Sequence, residues 1–303
     1  MATLRTSRPA KIAGAPISWG VSEVPGWGYQ LPLERVLGEM RDLGLGATEF
    51  GPAGFLPDSP ADKAATLARF DLAAVGGFVP VVLHRADPGL IAGIERVLDD
   101  FEATGARVLV LAAVTGDEGY DANRPDLSDA EWATLLASLE QVAVTAEARG
   151  VLAVLHPHVG TVVETADDVE RVLDGSTIAF CFDTGHLMIG GTDPVAFARR
   201  HSDRIAHAHL KDVSMAGIER VRSGETSYFD AVAADSLYRP LGQGDIDIRA
   251  IVQSLTLAGF DGWYVLEQDR VVVAEPPVGD GPIRDARASV EFLTAVLGET
   301  VQA

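Results

Sequence analysis

Short apolar runs in this chain end in ionisable side chains, of types that could bind a metal ion or move a proton. The fifth run closes as Val-Leu-His156-Pro-His158 and the sixth as Phe-Cys-Phe-Asp183-Thr-Gly-His186. The seventh reads His207-Ala-His209-Leu-Lys211-Asp212, and the eighth Tyr-Val-Leu-Glu267. Glu49 and His84 stand at the ends of the second and third. A buried strand normally stays apolar to its end, because desolvating an unpaired charge is costly. Side chains alternate along a strand, so His207, His209 and Lys211 share one face. If such faces point inward, imidazoles and carboxylates of neighbouring strands converge. His, Asp, His and Glu from four strands make a mixed nitrogen and oxygen donor set, open to Mn, Co, Zn, Fe or Mg. Such an ion polarises a carbonyl or alkoxide while a nearby base takes a proton from the adjacent carbon. Taken singly, each residue has a plainer role: a core imidazole for any one histidine, a helix N-cap for Asp183, a solvated charge for Glu267. It is their joint position at strand ends that argues for a site.

The elements that must position them alternate along the whole chain. Strands are expected at Lys11–Ser18, Ala47–Phe50, Phe78–His84, Arg107–Val114, Val151–His156, Ile178–Asp183, Ile205–Leu210 and Trp263–Glu267. Amphipathic helical patterns are expected at Pro32–Leu43, Ala61–Ala73, Gly89–Thr104, Asp129–Arg149, Ala166–Leu173, Pro194–His201, Ile248–Ala258 and Ile283–Leu297. Gly44, Gly105, Gly150, Gly175 and Gly259 punctuate helix ends, where a left-handed residue is favoured. Eight β/α units in 303 residues, somewhat above the norm of about 250, predict an α/β fold of the (β/α)8 TIM-barrel type in one domain, 1–303, with a flexible N-terminus over 1–10. The dinucleotide-binding turn Gly-x-Gly-x-x-Gly does not follow the first strand, which argues against a doubly wound sheet. Two long connections, Thr115–Ser128 and Ser214–Gly244, follow strand C-termini and are expected to be lid or interface segments. Cys181, on the Asp183 face, is expected to fill the barrel, and Trp19 to line the pocket.

Composition narrows the function classes. Asp and Glu number 44 against 24 Lys and Arg, a formal net charge of −20. A chain this acidic is repelled by a phosphate backbone or an anionic lipid surface, so neither nucleic acid nor membrane is an expected partner. The lone cysteine cannot form an internal disulfide, and the chain shows no signal-like or bilayer-spanning apolar run. These features suit a soluble cytoplasmic protein.

The segments LHPHVGT, FDTGH, HAHLKDV and GWYVLE, with APISW, TEFG and PLGQGDIDI, resemble the xylose isomerase-like TIM-barrel superfamily of sugar isomerases and epimerases. Within it the similarity is greatest to the inosose dehydratase branch. The resemblance covers nearly the whole chain and implies one divalent ion, Mn or Co before Zn, Fe or Mg, held by His156, Asp183, His209 and Glu267. Histidine rather than glutamate at the first of these favours the dehydratase branch over the epimerases. It further implies a small-molecule substrate, a polyol-derived ketone or sugar, and a possible homodimer. Dehydration next to a ketone needs one proton removed and a hydroxide expelled from the next carbon. The roles this suggests are proton removal by Glu267 or a pocket histidine such as His156, with His158, His186 or Lys211 orienting substrate and protonating the leaving group. Trp19, Glu49, His84, His186 and His207 are the expected substrate contacts. The first strands depart from the dehydratase pattern: Val21-Ser22-Glu23 and Pro52-Ala53 replace its Asn-Asp-Asp-like and Asn-Lys runs, and Leu83-His84 is unusual for it. The metal chemistry therefore carries over better than the substrate. A ketose isomerase or epimerase working through an enediolate is the first alternative, and a non-catalytic sugar-binding barrel the second. A nuclease of the endonuclease IV type, built on the same barrel, would need more metal ligands and a basic face.

Overall fold

Runs of Val, Ala, Leu and Phe suit the pleated, doubly covered surface of a parallel sheet, and they form its strands here. In the computed structural model, residues 11–117, 119–121 and 124–300 are described; the N-terminal stretch 1–10, expected to be flexible, lies outside them. The strands are β1 (Lys11–Gly14), β2 (Ala47–Thr48), β3 (Ala73–Ala74), β4 (Gly76–Val81), β5 (Val108–Ala113), β6 (Leu152–Leu155), β7 (Ala179–Asp183), β8 (Ile205–Leu210), β9 (Asp212–Val213), β10 (Tyr238–Arg239) and β11 (Trp263–Leu266). The helices are α1 (Leu33–Asp42), α2 (Pro60–Arg69), α3 (Leu90–Thr104), α4 (Asp129–Ala148), α5 (Ala166–Gly175), α6 (Thr184–Gly190), α7 (Pro194–Arg200), α8 (Met215–Arg222), α9 (Tyr228–Ala233), α10 (Ile248–Ala258) and α11 (Pro282–Thr300).

Nine strands pair in the order β3-β2-β1-β11-β8-β7-β6-β5-β4, and every pair is parallel. The two ends of that order, β3 and β4, are consecutive in the chain with only Val75 between them, so the sheet returns on itself as a TIM barrel. Small and branched side chains fill its interior: Ala13, Ala47, Val75 and Val265 on one side, Val108, Val110, Val154 and Cys181 on the other. The larger side chains, among them Leu37, Leu98, Leu109, Leu111 and Phe180, pack between strands and helices. Each such Leu or Phe stabilises the fold by roughly 1.5–3 kcal/mol when fully buried. Capping boxes start α4 (Ser128 with Glu131) and α5 (Thr165 with Asp168), closing two orphan N–H groups at each helix start.

All eight expected strands and helices are present, with corrected bounds. The first strand stops at Gly14 rather than Ser18, because Pro16 has no N–H for the ladder and starts a 3-10 turn, Pro16–Trp19. The third begins at Gly76, since a Gly-Gly pair reads as a turn but here opens β4. Gly175 is still helical, whereas Gly44, Gly105, Gly150 and Gly259 have positive φ as expected. The connection Ser214–Gly244 is not irregular: it carries α8, α9 and β10, which pairs antiparallel with β9. The other long connection, partly outside the described residues, reaches over the barrel mouth. There Asp121 accepts hydrogen bonds from the Tyr228 and Phe229 N–H groups (2.7 and 3.0 Å), and the Tyr120 hydroxyl donates to Glu23 (2.5 Å).

Candidate active site

The register of β6, β7, β8 and β11 brings the four expected ligands to one place. Asp183 pairs with His209 across β7 and β8, and His209 with Val265 across β8 and β11. His156 and Glu267 follow β6 and β11 directly, tied by N–H bonds to Leu111 and Leu210 carbonyls (2.8 and 3.2 Å). Asp183 Oδ2 lies 3.2 Å from His156 Nε2 and 3.8 Å from His209 Nδ1; Glu267 Oε2 lies 3.2 Å from His209 Nδ1. Ligand atoms about 2.1 Å from one ion stand roughly 3–3.5 Å apart, which these spacings match. Asp183, His209 and Glu267 form one such cluster, and His156, Asp183 and His186 another.

Chemistry as well as spacing fits a cation. Glu49 Oε1 takes hydrogen bonds from His207 Nε2 (2.8 Å) and His209 Nε2 (3.0 Å). With a divalent ion bound, a carboxylate there would keep the His209 proton on Nε2 and free the Nδ1 lone pair, which faces Asp183 and Glu267, for the ion. Burial alone would raise the Glu49 pKa, but the charge and hydrogen bonds of His209 and His207 bring it down to about 2. Against burial, His209 and Lys211 hold Glu267 well below the carboxylate range, and Lys211 and His156 lower Asp183. His209 itself, although burial opposes it, is pushed well above the imidazole range by Cys181, Glu267 and Glu49. Burial pushes the Cys181 thiol up to about 12, so it fills space and is no nucleophile.

The FDTGH and HLKD segments lock together around Lys211. Asp183 caps α6 through His186 N–H (2.8 Å), so the plainer reading of that residue also holds. Thr184 Oγ1 accepts the Lys211 N–H (2.9 Å) and donates to its carbonyl (2.6 Å). A Cβ on Gly185 would stand 2.7 Å from Lys211 Cβ, so glycine gives the lysine its room. Lys211 Nζ then reaches Asp269 (2.5 Å), Glu267 (2.7 Å) and Asp183 (3.6 Å). Although burial alone would lower its pKa, Asp269, Glu267 and Asp183 keep it charged. His158 lies between Tyr120 and His186, with ring centroids 4.3 and 3.8 Å away. Its Nδ1 donates to the Val159 carbonyl (2.7 Å), and burial, with His156 and Lys211 beside it, keeps the ring neutral. Nε2 is thereby left as an acceptor.

Most of these groups line one end of a cavity of about 450 Å³; Asp183, fully buried, is not among the lining residues. His156, His158, His209, Lys211, Glu267 and Glu49 face it. His186 and His207 stand behind, orienting His158 and Glu49. Trp19 and His84 are placed elsewhere. The Trp19 indole donates to Glu39 of α1 (2.8 Å), and His84 is buried near Arg85 and Glu131 with neither ring nitrogen bonded. Asp269, Tyr228 and Tyr120 face the cavity but were not anticipated. Asp269 lies two residues past Glu267, a spacing that would have revealed it; nothing local marks Tyr228, which reaches Asp269 (2.6 Å) from the middle of a long connection.

Comparison with known proteins agrees with the geometry. An inosose dehydratase of Geobacillus kaustophilus is 32% identical over 290 residues, covering 90% of this chain and 92% of its own. The rhizopine catabolism protein MocC of Rhizobium meliloti is 33% identical over 270 residues, covering 86% and 82%. Among solved structures, an L-ribulose 3-epimerase superposes with a TM-score of 0.68 over 97% of this chain and 96% of its own, at 18% identity, a likeness of fold. Residues 84–296 match the xylose isomerase-like TIM barrel, and the chain belongs to that family.

Proposed function

We propose that this protein is a metal-dependent carbon–oxygen lyase that dehydrates a keto-cyclitol such as 2-keto-myo-inositol. The observation that carries the reading is the convergence, at one end of a cavity, of His156, His209 and Glu267, with the buried Asp183 beside them, a neutral imidazole and a buried ammonium. Relatives named inosose dehydratase, 26–32% identical over most of both chains, support it. His156, Asp183, His209 and Glu267 would hold one divalent ion, Mn or Co before Zn, Fe or Mg. When bound, it supplies Lewis acidity to a ketone and the hydroxyl beside it.

The chain's own groups then divide the work. Glu267, paired with Lys211 and His209, is held anionic and serves better as a ligand than as a base. His158, neutral with a free Nε2 and fixed between two rings, is suited to take the proton from the carbon next to the ketone. The electron pair of that C–H bond becomes the new C=C bond, and the C–O bond on the next carbon breaks. Lys211, presented by Asp269 and Glu267, gives a proton to the departing hydroxide, which leaves as water; the proton held on His158 Nε2 passes to solvent and Lys211 takes one back, so that the cycle closes.

In D2O, the Mn-loaded protein is expected to convert 2-keto-myo-inositol to a product lighter by one water, read by proton NMR and mass spectrometry. His158→Gln should lower turnover by roughly 10²–10⁴-fold with the melting temperature unchanged. Deuterium gain at the α-carbon with no water lost would replace the lyase by an epimerase, and near-normal turnover in His158→Gln would remove its role as base.

A further inference from the structure

The cavity has a second half that the elimination chemistry does not use. Besides the carboxylates and imidazoles, β4 and the residues that follow β2 contribute Phe50, Pro52, Ala53, Phe78, Val79 and Pro80. These six side chains are apolar; Lys63, whose Nζ lies 5.1 Å from the Phe50 ring centroid, is paired with Asp100. The wall is built, not incidental. The Phe50 ring is seated against Gly77, where a Cβ would stand 2.8 Å from Phe50 Cδ2. It packs edge-on against Phe101 of α3, with ring centroids 5.3 Å apart. Phe78 carries the same surface to the reaction end, its ring 5.8 Å from both His156 and His158. The cavity, about 450 Å³, is larger than a single six-carbon ring requires.

We infer that the substrate is a keto-cyclitol or keto-sugar carrying an apolar substituent, an aryl or alkyl group that lies on the Phe50–Phe78 wall while the ketone faces His158 and Lys211. This rests on the enolising reading of the same cavity and names its substrate class. An unsubstituted polyol would bury its hydroxyls unpaired against this wall, which is costly, whereas an aromatic ring loses nothing polar there.

The test compares 2-keto-myo-inositol with its mono-O-benzyl ether on the Mn-loaded protein, by titrating tryptophan fluorescence and by following α-proton exchange in D2O. Trp27, which lines the cavity, is the reporter. The benzyl ether should bind roughly ten- to hundredfold more tightly, the worth of burying one aromatic ring. That advantage should shrink in Phe50→Ser, and also in Ala53→Asp, which changes an exposed loop residue and leaves the packing alone. Equal affinity for the two ketones, or an advantage that survives both substitutions, would overturn the assignment. If the parent ketone still exchanges its proton in that case, the enolising reading stands. Tight benzyl-ether binding, lost in the variants, with no exchange on either ketone would keep the apolar subsite and overturn the enolising reading. Binding of neither ketone would overturn both.

Discussion

His209 shows how far a single residue's meaning depends on its partners. In sequence it is one of three polar groups alternating along a strand; in the fold, Glu49 fixes its tautomer and turns its other nitrogen toward two carboxylates. His84 is the opposite case. It too follows an apolar strand, but it is buried away from the cavity with both ring nitrogens unbonded. Burial, and then the neighbouring Arg85, lower its pKa below the ordinary value. The unfolded chain therefore takes up a proton near pH 6.5 that the native state refuses, and stability falls as pH drops through that value until the folded pKa is reached. His84→Leu should remove this loss and stabilise the protein by about 1–2 kcal/mol through deletion of the unpaired nitrogens. Urea unfolding at pH 7.5 and 5.5 would show the gap between variant and wild type widening at the lower pH; a gap that narrows would contradict the account. The strand-end pattern thus pointed to four residues that the fold brings together, His156, Asp183, His209 and Glu267, but could not separate His84 from His158. The two differ in their surroundings: His84 is buried near Arg85 and Glu131 of α4, and His158 between Tyr120 and His186.

At the scale of elements, the connection Ser214–Gly244 was expected to be a loop yet folds as two short helices and a strand. Its pieces are too short for periodicity to declare them, α8 having 8 residues and α9 having 6, and their order comes from tertiary bonds. Asp121 supplies them to the start of α9, and Asp212 supplies them where the connection ends. Buried at the start of β9, its carboxylate accepts N–H groups from Gly242 (2.8 Å), Gly244 (3.0 Å), Ile246 (3.1 Å) and its neighbour Val213 (3.0 Å). It ties the end of the connection back to the strand that carries His209 and Lys211. Asp212→Ala would leave several buried donors unpaired and should cost about 3 kcal/mol, several degrees of melting temperature for a chain of this size. Asp212→Asn, keeping one acceptor oxygen, should lose less. Thermal denaturation of both variants measures this, and an alanine variant melting with the wild type would show the carboxylate to be dispensable. By contrast the barrel itself was legible, because each β/α unit carries its own period and punctuation. Only its seam was hidden, where a Gly-Gly pair reads as a turn and in fact starts β4.

For the molecule as a whole, the excess of acid has a consequence for the ligand. Every Lys and Arg could be paired and 20 carboxylates would still be uncompensated. The cavity repeats the imbalance. Apart from its imidazoles, it presents Glu23, Glu49, Asp58, Asp100, Glu267 and Asp269 against Lys63 and Lys211, an excess of four negative charges. Neither ammonium is free: Lys63 pairs with Asp100, and Lys211 with Asp269 and Glu267. One divalent ion would halve the excess and leave the field negative. Such a field draws in a cation and leaves an uncharged ketone indifferent, but it opposes a phosphate ester at every distance within the Debye length, about 30 Å at 0.01 M salt and 3 Å at 1 M. A phosphorylated ketone should therefore bind at least about tenfold more weakly than its uncharged parent at low ionic strength, a difference of roughly 1.4 kcal/mol. The gap should close as salt is raised, because the penalty lies in the long-range field and not in a lost contact. Titration of the two ligands across that salt range decides the matter. A phosphate ester that binds as well as the parent, or a penalty that ignores salt, would mean that a cationic contact or a steric limit governs the choice instead of the charge of the chain.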